Sequence, residues 1–232
     1  MSFSYANVFE DRLKMVLDRI DQACVKSGRE RAEVDLMAVT KRHSLEEIEP
    51  AVRGDIACFG ENRVQEAAEK IPQLKTMRWE LIGPLQTNKV RVAVELFDRI
   101  QTVDRLKLIA ALGKQASQIG RDRLPVLLQV NVGADPAKSG CSIEAAFSLV
   151  EAIQETPGLQ LDGLMTIGAL TEDRDEIRRT FARLRELAEE LRGASGLALR
   201  ALSMGMTHDL EIAIEEGSTL IRVGSALFGA RD

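Results

Sequence analysis

Apolar residues recur at Val8, Phe9, Leu13, Val16, Leu17, Ile20 and Cys24, close to the helical period, and Gly28 supplies a stop, so an opening helix is expected over residues 5–27. Beyond it the pattern changes. Short β-like runs near 34–40, 55–59, 78–82, 98–102, 125–131, 160–166, 197–202 and 219–223 read as eight strands. Between them, Val64, Ala67, Ala68 and Ile71, then Ile177, Phe181, Leu184 and Leu191, fall at helix spacing, and Ser44 with Glu47 forms a capping box. Strands alternating with helices imply a parallel sheet, and eight is the number that closes into a (β/α)8 TIM barrel. A doubly wound open sheet is the alternative, because periodicity does not register closure. At 232 residues the chain has room for one such barrel, expected as a single domain over 1–232 with residues 1–28 as a helix packed on it.

In a barrel the working face lies at the carboxyl ends of the strands, and a phosphate site commonly occupies the loops after strands 7 and 8. Those loops hold Ser203, Gly205 and Thr207, then Gly224, Ser225 and Gly229. Glycines permit close backbone approach, hydroxyls donate to phosphate oxygens, and main-chain N–H groups at a helix start favour an anion. The plainer reading is that glycine and serine merely punctuate loops.

Lys41 closes the run Val34-Asp35-Leu36-Met37-Ala38-Val39-Thr40. A lysine at a barrel mouth can lose hydration and offer a neutral amine to an aldehyde, or it can bury only its stem and keep its ammonium in water. Alternation on strand 8 puts Leu220, Arg222 and Gly224 on one face, so Arg222 points inward beneath the loop, toward either a barrel carboxylate or a ligand heteroatom. The same parity groups Met37, Val39 and Lys41 on strand 1, and Leu127, Gln129 and Asn131 on strand 5. Lysine, arginine, interior amides and a phosphate loop together describe a pocket for a phosphorylated aldehyde.

Charge narrows the partners. A formal net charge of −5, with acidic and basic residues intermixed, leaves no basic stripe for nucleic acid. No apolar run approaches the roughly 20 residues of a membrane span, and the start lacks a signal-peptide pattern, so a cytoplasmic protein is expected. Cys24, Cys58 and Cys141 form no CxxC pair, which suits a reducing compartment, and two isolated histidines, His43 and His208, supply no metal site.

The blocks Ala38-Val39-Thr40-Lys41, Phe59-Gly60-Glu61-Asn62-Arg63-Val64-Gln65-Glu66, Trp79-Glu80-Leu81-Ile82-Gly83-Pro84-Leu85-Gln86-Thr87-Asn88-Lys89, Gly163-Leu164-Met165-Thr166-Ile167, Leu202-Ser203-Met204-Gly205-Met206-Thr207 and Arg222-Val223-Gly224-Ser225-Ala226-Leu227-Phe228-Gly229 occur in order. In this the chain resembles the pyridoxal phosphate homeostasis protein family, also described as the proline synthase co-transcribed homologues, from about residue 30 to Arg231. The resemblance implies a barrel similar to the N-terminal domain of alanine racemase, with pyridoxal 5'-phosphate as an internal aldimine (a Schiff base) on Lys41. It also implies that Ser203, Thr207, Gly224 and Ser225 hold the phosphate, that Arg222 faces the pyridine nitrogen, that Asn62 lies beside the cofactor, and that Lys138 matches a lysine that receives cofactor during transfer. Arg63, Glu80, Pro84 and Arg42-His43 depart from the residues common in that family.

Such a protein is expected to be a monomeric carrier supporting vitamin B6 and amino-acid and keto-acid homeostasis, delivering cofactor to pyridoxal phosphate-dependent apoenzymes. An arginine against the pyridine nitrogen weakens the electron sink, and the one tyrosine, Tyr5, sits in the opening helix, so a two-base racemase is not expected. The alternatives are a weak racemase or lyase using the same aldimine, or a phosphosugar isomerase using the phosphate loops alone.

Overall fold

The computed structural model of the chain describes residues 5–169 and 171–229. The outer limits of the expected 1–232 domain and of its 1–28 helical segment lie outside them. The helices are α1 (Tyr5–Ser27), α2 (Leu45–Ile48), α3 (Val64–Lys70), α4 (Val90–Leu96), α5 (Leu106–Gln118), α6 (Ile143–Glu155), α7 (Arg174–Ser195), α8 (Leu210–Glu215) and α9 (Ser225–Phe228). The strands are β1 (Asp35–Val39), β2 (Cys58–Glu61), β3 (Trp79–Leu81), β4 (Arg99–Val103), β5 (Arg123–Gln129), β6 (Gly158–Met165), β7 (Ala201–Ser203) and β8 (Leu220–Val223). All pair in parallel and in sequence order, and β8 returns to β1 through Met37 opposite Arg222 and Ala38 opposite Val223. The sheet is therefore a closed barrel, and the open-sheet alternative is set aside.

Two layers of side chains follow from the two faces of each strand. Outward-facing Leu36, Ala38, Phe59, Trp79 and Ile100 join the helices in one large apolar core, and the Phe59 and Trp79 rings meet edge to face at 5.0 Å. Inward-facing Met37, Cys58 and Leu220 form a small separate cluster inside the barrel, against Ile82. Cys24, Cys58 and Cys141 are all buried free thiols, and burial raises the pKa of each, that of Cys141 to about 12.

The opening helix forms where its period places it. Phe9, Leu13, Val16, Ile20, Ala23 and Cys24 are its buried face, and Gly28, at φ 67°, ends it in the left-handed conformation that glycine adopts without a Cβ penalty. Because α9 after β8 has only four residues, α1 covers the barrel wall there, packing on α8 and α9 with Phe9 against Phe228 at 5.5 Å. Arg19 adds a bidentate pair to Glu211.

Three strand limits differ from the sequence pattern. The run 197–202 is mostly a connection, because Leu199 takes φ 38° and Arg192 donates to the carbonyls of Ala198 and Leu199, so β7 begins only at Ala201. The run 55–59 is displaced toward Glu61, since Phe59, Gly60 and Glu61 are the residues in register with β3. On β5 the strand ends at Gln129; Asn131 has left the sheet and ties down the following loop through Asp135, so it adds no amide to the barrel interior.

Candidate functional site

The carboxyl end of β1 is an unusual turn. Thr40 is fully buried, Lys41 is partly buried beyond it, and Arg42 takes φ 62°, a left-handed conformation costing a non-glycine residue about 1–3 kcal/mol. β1 stops at Val39, so Lys41 lies in the turn just beyond the strand, at the rim of the barrel. There it lines a hollow of about 210 Å3 with Arg42, Asn62, Arg63 and Glu66. Asn62 follows β2 directly and is brought to this rim by the β1–β2 pairing.

The loops after β7 and β8 meet at the same rim. Gly205 has φ 94°, and a Cβ there would lie 2.5 Å from the Cβ of Ala213, so glycine is required. Its carbonyl accepts the Arg222 N–H at 3.0 Å, locking the loop after β7 onto β8. Thr207 and exposed Ser225 then approach through their hydroxyls at 3.3 Å. Gly224 precedes α9, whose leading N–H groups lack intrahelical acceptors as at any helix start. A Cβ on Gly224 would stand 3.4 Å from the Val39 carbonyl and Cβ, which places this loop beside the turn carrying Lys41.

Arg222 lies below, 4% exposed, inside the barrel. Its guanidinium donates to Ser203 Oγ at 2.7 Å and to the Thr166 carbonyl at 2.8 Å, and among the described residues no carboxylate forms an ion pair with it. Desolvation lowers its pKa to about 10, opposed by the field of Asp209. Asp209 is itself buried, and burial raises its carboxyl pKa despite a 2.6 Å hydrogen bond from the Met206 N–H. The barrel carboxylate that the sequence left as one possible partner of Arg222 is thus reached only through intermediaries: Ser203 donates to Gln101 Oε1 at 2.6 Å, and Gln101 donates to Glu80 Oε2 at 2.5 Å. Glu80 is held from the other side by Arg99 at 2.8 Å.

The expected residues do not all stand in one layer. Lys41, Asn62, Thr207, Gly224 and Ser225 are at the rim, whereas Ser203 is fully buried with its hydroxyl committed to Gln101 and Arg222, so here it supports the guanidinium and does not present its hydroxyl at the rim. Lys138 is neither a freely exposed loop lysine nor adjacent to Lys41 in the rim hollow. Its Nζ donates to the Gly168 carbonyl at 2.8 Å and lines a separate cavity of about 790 Å3 with Met206, His208 and Asp209. Sequence reading missed Gln101, Glu80 and Thr166, which contact or relay to Arg222; the inward parity of Glu80 and the polar Gln101 within an apolar strand were the available signals. Among the described residues no group of three or more His, Cys, Asp or Glu side chains is placed to hold a metal ion, and no helix is long and apolar enough to cross a membrane.

The closed parallel barrel, with Lys41 just beyond β1 and Arg222 buried inside β8, is of the alanine racemase N-terminal-domain class, and that family's model matches residues 16–232. Within this class the chain belongs to the pyridoxal phosphate homeostasis protein family. It is 43% identical over 224 residues to the pyridoxal phosphate homeostasis protein of Pseudomonas aeruginosa, covering 96% of this chain and 95% of that one. Among solved structures it is similar to a protein of Bifidobacterium adolescentis described as unknown (TM-score 0.92, 35% identity, 98% and 97% of the two chains). It is also similar to PipY of Synechococcus elongatus, solved with PLP bound (TM-score 0.80, 36% identity, 91% and 100%).

Proposed function

We propose that this protein binds pyridoxal 5'-phosphate at the barrel mouth, holds it covalently through Lys41, and acts as a carrier in vitamin B6 and amino-acid/keto-acid homeostasis. The observation that carries this reading is the meeting of the Lys41 turn with the Gly224-Ser225 loop directly above a buried arginine that forms no ion pair among the described residues. The cofactor supplies an aldehyde that condenses with a primary amine with loss of water, a phosphate, and a pyridine ring able to withdraw electrons.

The donor set fits those groups. Thr207, Ser225 and the main chain from Gly224 would hold the phosphate, and Lys41 would provide the amine, with Asn62 beside it. Arg222, kept in place by Ser203 and the Thr166 carbonyl, would face the ring nitrogen. A guanidinium can only donate, and its pKa of about 10 keeps it cationic at neutral pH, so the ring nitrogen would remain unprotonated and a poor sink for carbanion chemistry. That favours storage and delivery over turnover.

Protein loaded with pyridoxal phosphate and freed of excess should restore activity to a pyridoxal phosphate-requiring apoenzyme, while racemising or cleaving none of a panel of L-amino acids at an enzymatic rate. Turnover of any of them at about 1 per second or faster, or failure to restore the apoenzyme, would overturn the carrier reading.

A further inference from the structure

Beside Lys41 stands a buried charged cluster that direct contact with a ligand does not explain. Lys70, on α3, is 6% exposed, and its Nζ donates at 2.7 Å to each of three acceptors: the Thr40 carbonyl, Glu61 Oε1 and Glu66 Oε1. Glu61, the last residue of β2, is fully buried and accepts a further 2.7 Å hydrogen bond from the Thr40 hydroxyl. Glu66 accepts the Arg42 N–H. Both chain neighbours of Lys41 are therefore gripped by one ammonium and two carboxylates.

The arrangement is poor as a stabilising device. Glu61 Oε2 is buried with no hydrogen-bond partner among the described residues, and burial raises the Glu61 carboxyl pKa even though Lys70 and Thr40 oppose this. Well-packed apolar residues would serve the core at least as well as a half-satisfied ionic network. What apolar residues could not do is hold the left-handed Arg42 and the polar backbone of Thr40 in one geometry.

We propose that Lys70, Glu61 and Glu66 are positioning residues for Lys41, clamping the Thr40-Lys41-Arg42 turn so that the amine is presented toward the phosphate loop in a reactive orientation. This rests on the reading of Lys41 as the attachment residue. Attachment joins Lys41 Nζ to the aldehyde carbon and releases the carbonyl oxygen as water, so its rate depends on how well the amine is aimed.

The test uses the full-length chain in three forms besides wild type. Lys70→Met removes the clamp but leaves Glu61 buried without its partner. The double variant Lys70→Met/Glu61→Leu removes both charges, so that neither is left buried alone, and Glu66→Gln, at a partly exposed position, neutralises the carboxylate that holds the Arg42 N–H and pairs with Lys70. Two quantities are measured: the rate at which pyridoxal phosphate becomes fixed to Lys41 on borohydride reduction, and the binding of pyridoxine 5'-phosphate, which keeps the phosphate and ring but has no aldehyde. In the double variant attachment should slow by about ten-fold or more while pyridoxine phosphate binding stays at the wild-type level; Glu66→Gln should show a smaller slowing.

Attachment at the wild-type rate in the folded double variant would overturn the proposal, as would a parallel fall in attachment and pyridoxine phosphate binding. A wild-type protein that fixes no cofactor on Lys41 would overturn the functional reading itself. That outcome is distinct, because it is read before any variant is made.

Discussion

Lys41→Ala protein mixed with pyridoxal phosphate should show none of the visible absorption that attachment through the lysine amine produces, and its thermal unfolding should match the wild type. The first expectation follows from chemistry, since alanine has no nucleophile to offer. The second follows from position: Lys41 is in a turn beyond β1, only partly buried, and belongs to neither apolar cluster. Substitutions at partly exposed positions outside the core usually move stability by no more than about 0.5 kcal/mol. The Gly224-Ser225 loop is untouched, so the variant should still bind pyridoxal phosphate reversibly, and dialysis should remove it. A band of undiminished intensity in Lys41→Ala would show that another amine does the work.

Arg222→Met should give the opposite combination of a fold at least as stable and a binding site clearly weaker. A cation inside a barrel with no carboxylate in contact among the described residues costs of order several kcal/mol before its hydrogen bonds are counted, and the pKa lowered to about 10 points the same way. A folded pKa below the unfolded value means that the unfolded chain binds more protons between the two, so the penalty is present in full below about pH 10 and is relieved only above it. At neutral pH the methionine variant escapes it, at the loss of one donor to the Thr166 carbonyl, while Ser203 keeps Gln101 as its acceptor. Its unfolding midpoint without cofactor should stay level or rise. Cofactor affinity should fall by about ten- to a hundred-fold, the worth of a hydrogen bond of about 1.5–3 kcal/mol made by a charged donor. Calorimetry of the cofactor-free protein and a binding titration decide the matter. A variant that melts lower yet binds as tightly would make Arg222 a structural residue only.

Much of this architecture is written in local patterns, and the exceptions are instructive. The opening helix was legible because six buried residues share one face and Gly28 marks its end, and the capping box of Ser44 and Glu47 forms as a spacing of three predicts, with Ser44 N–H donating to Glu47 at 2.6 Å. The loops after β7 and β8 were legible because glycines and hydroxyls cluster there. Strand parity held where the strand itself continued, as at Arg222, and failed at Asn131, where the chain had already turned away. Leu199 misled for a related reason: its apolar character suits a strand, but its left-handed backbone is imposed by Arg192 reaching in from α7. The Lys70 cluster was invisible because its partners are 30, 9 and 4 residues away, and only the pairing of β1 with β2 brings Thr40, Glu61 and α3 to one point.

The central claim is that Lys41 holds the cofactor, and it is tested most directly by reducing the pyridoxal phosphate-loaded protein with borohydride and mapping the product by mass spectrometry. The predicted result is one pyridoxyl phosphate adduct, on the peptide containing Lys41. A main adduct on Lys70, Lys138 or any other lysine, or no adduct at all, would contradict it.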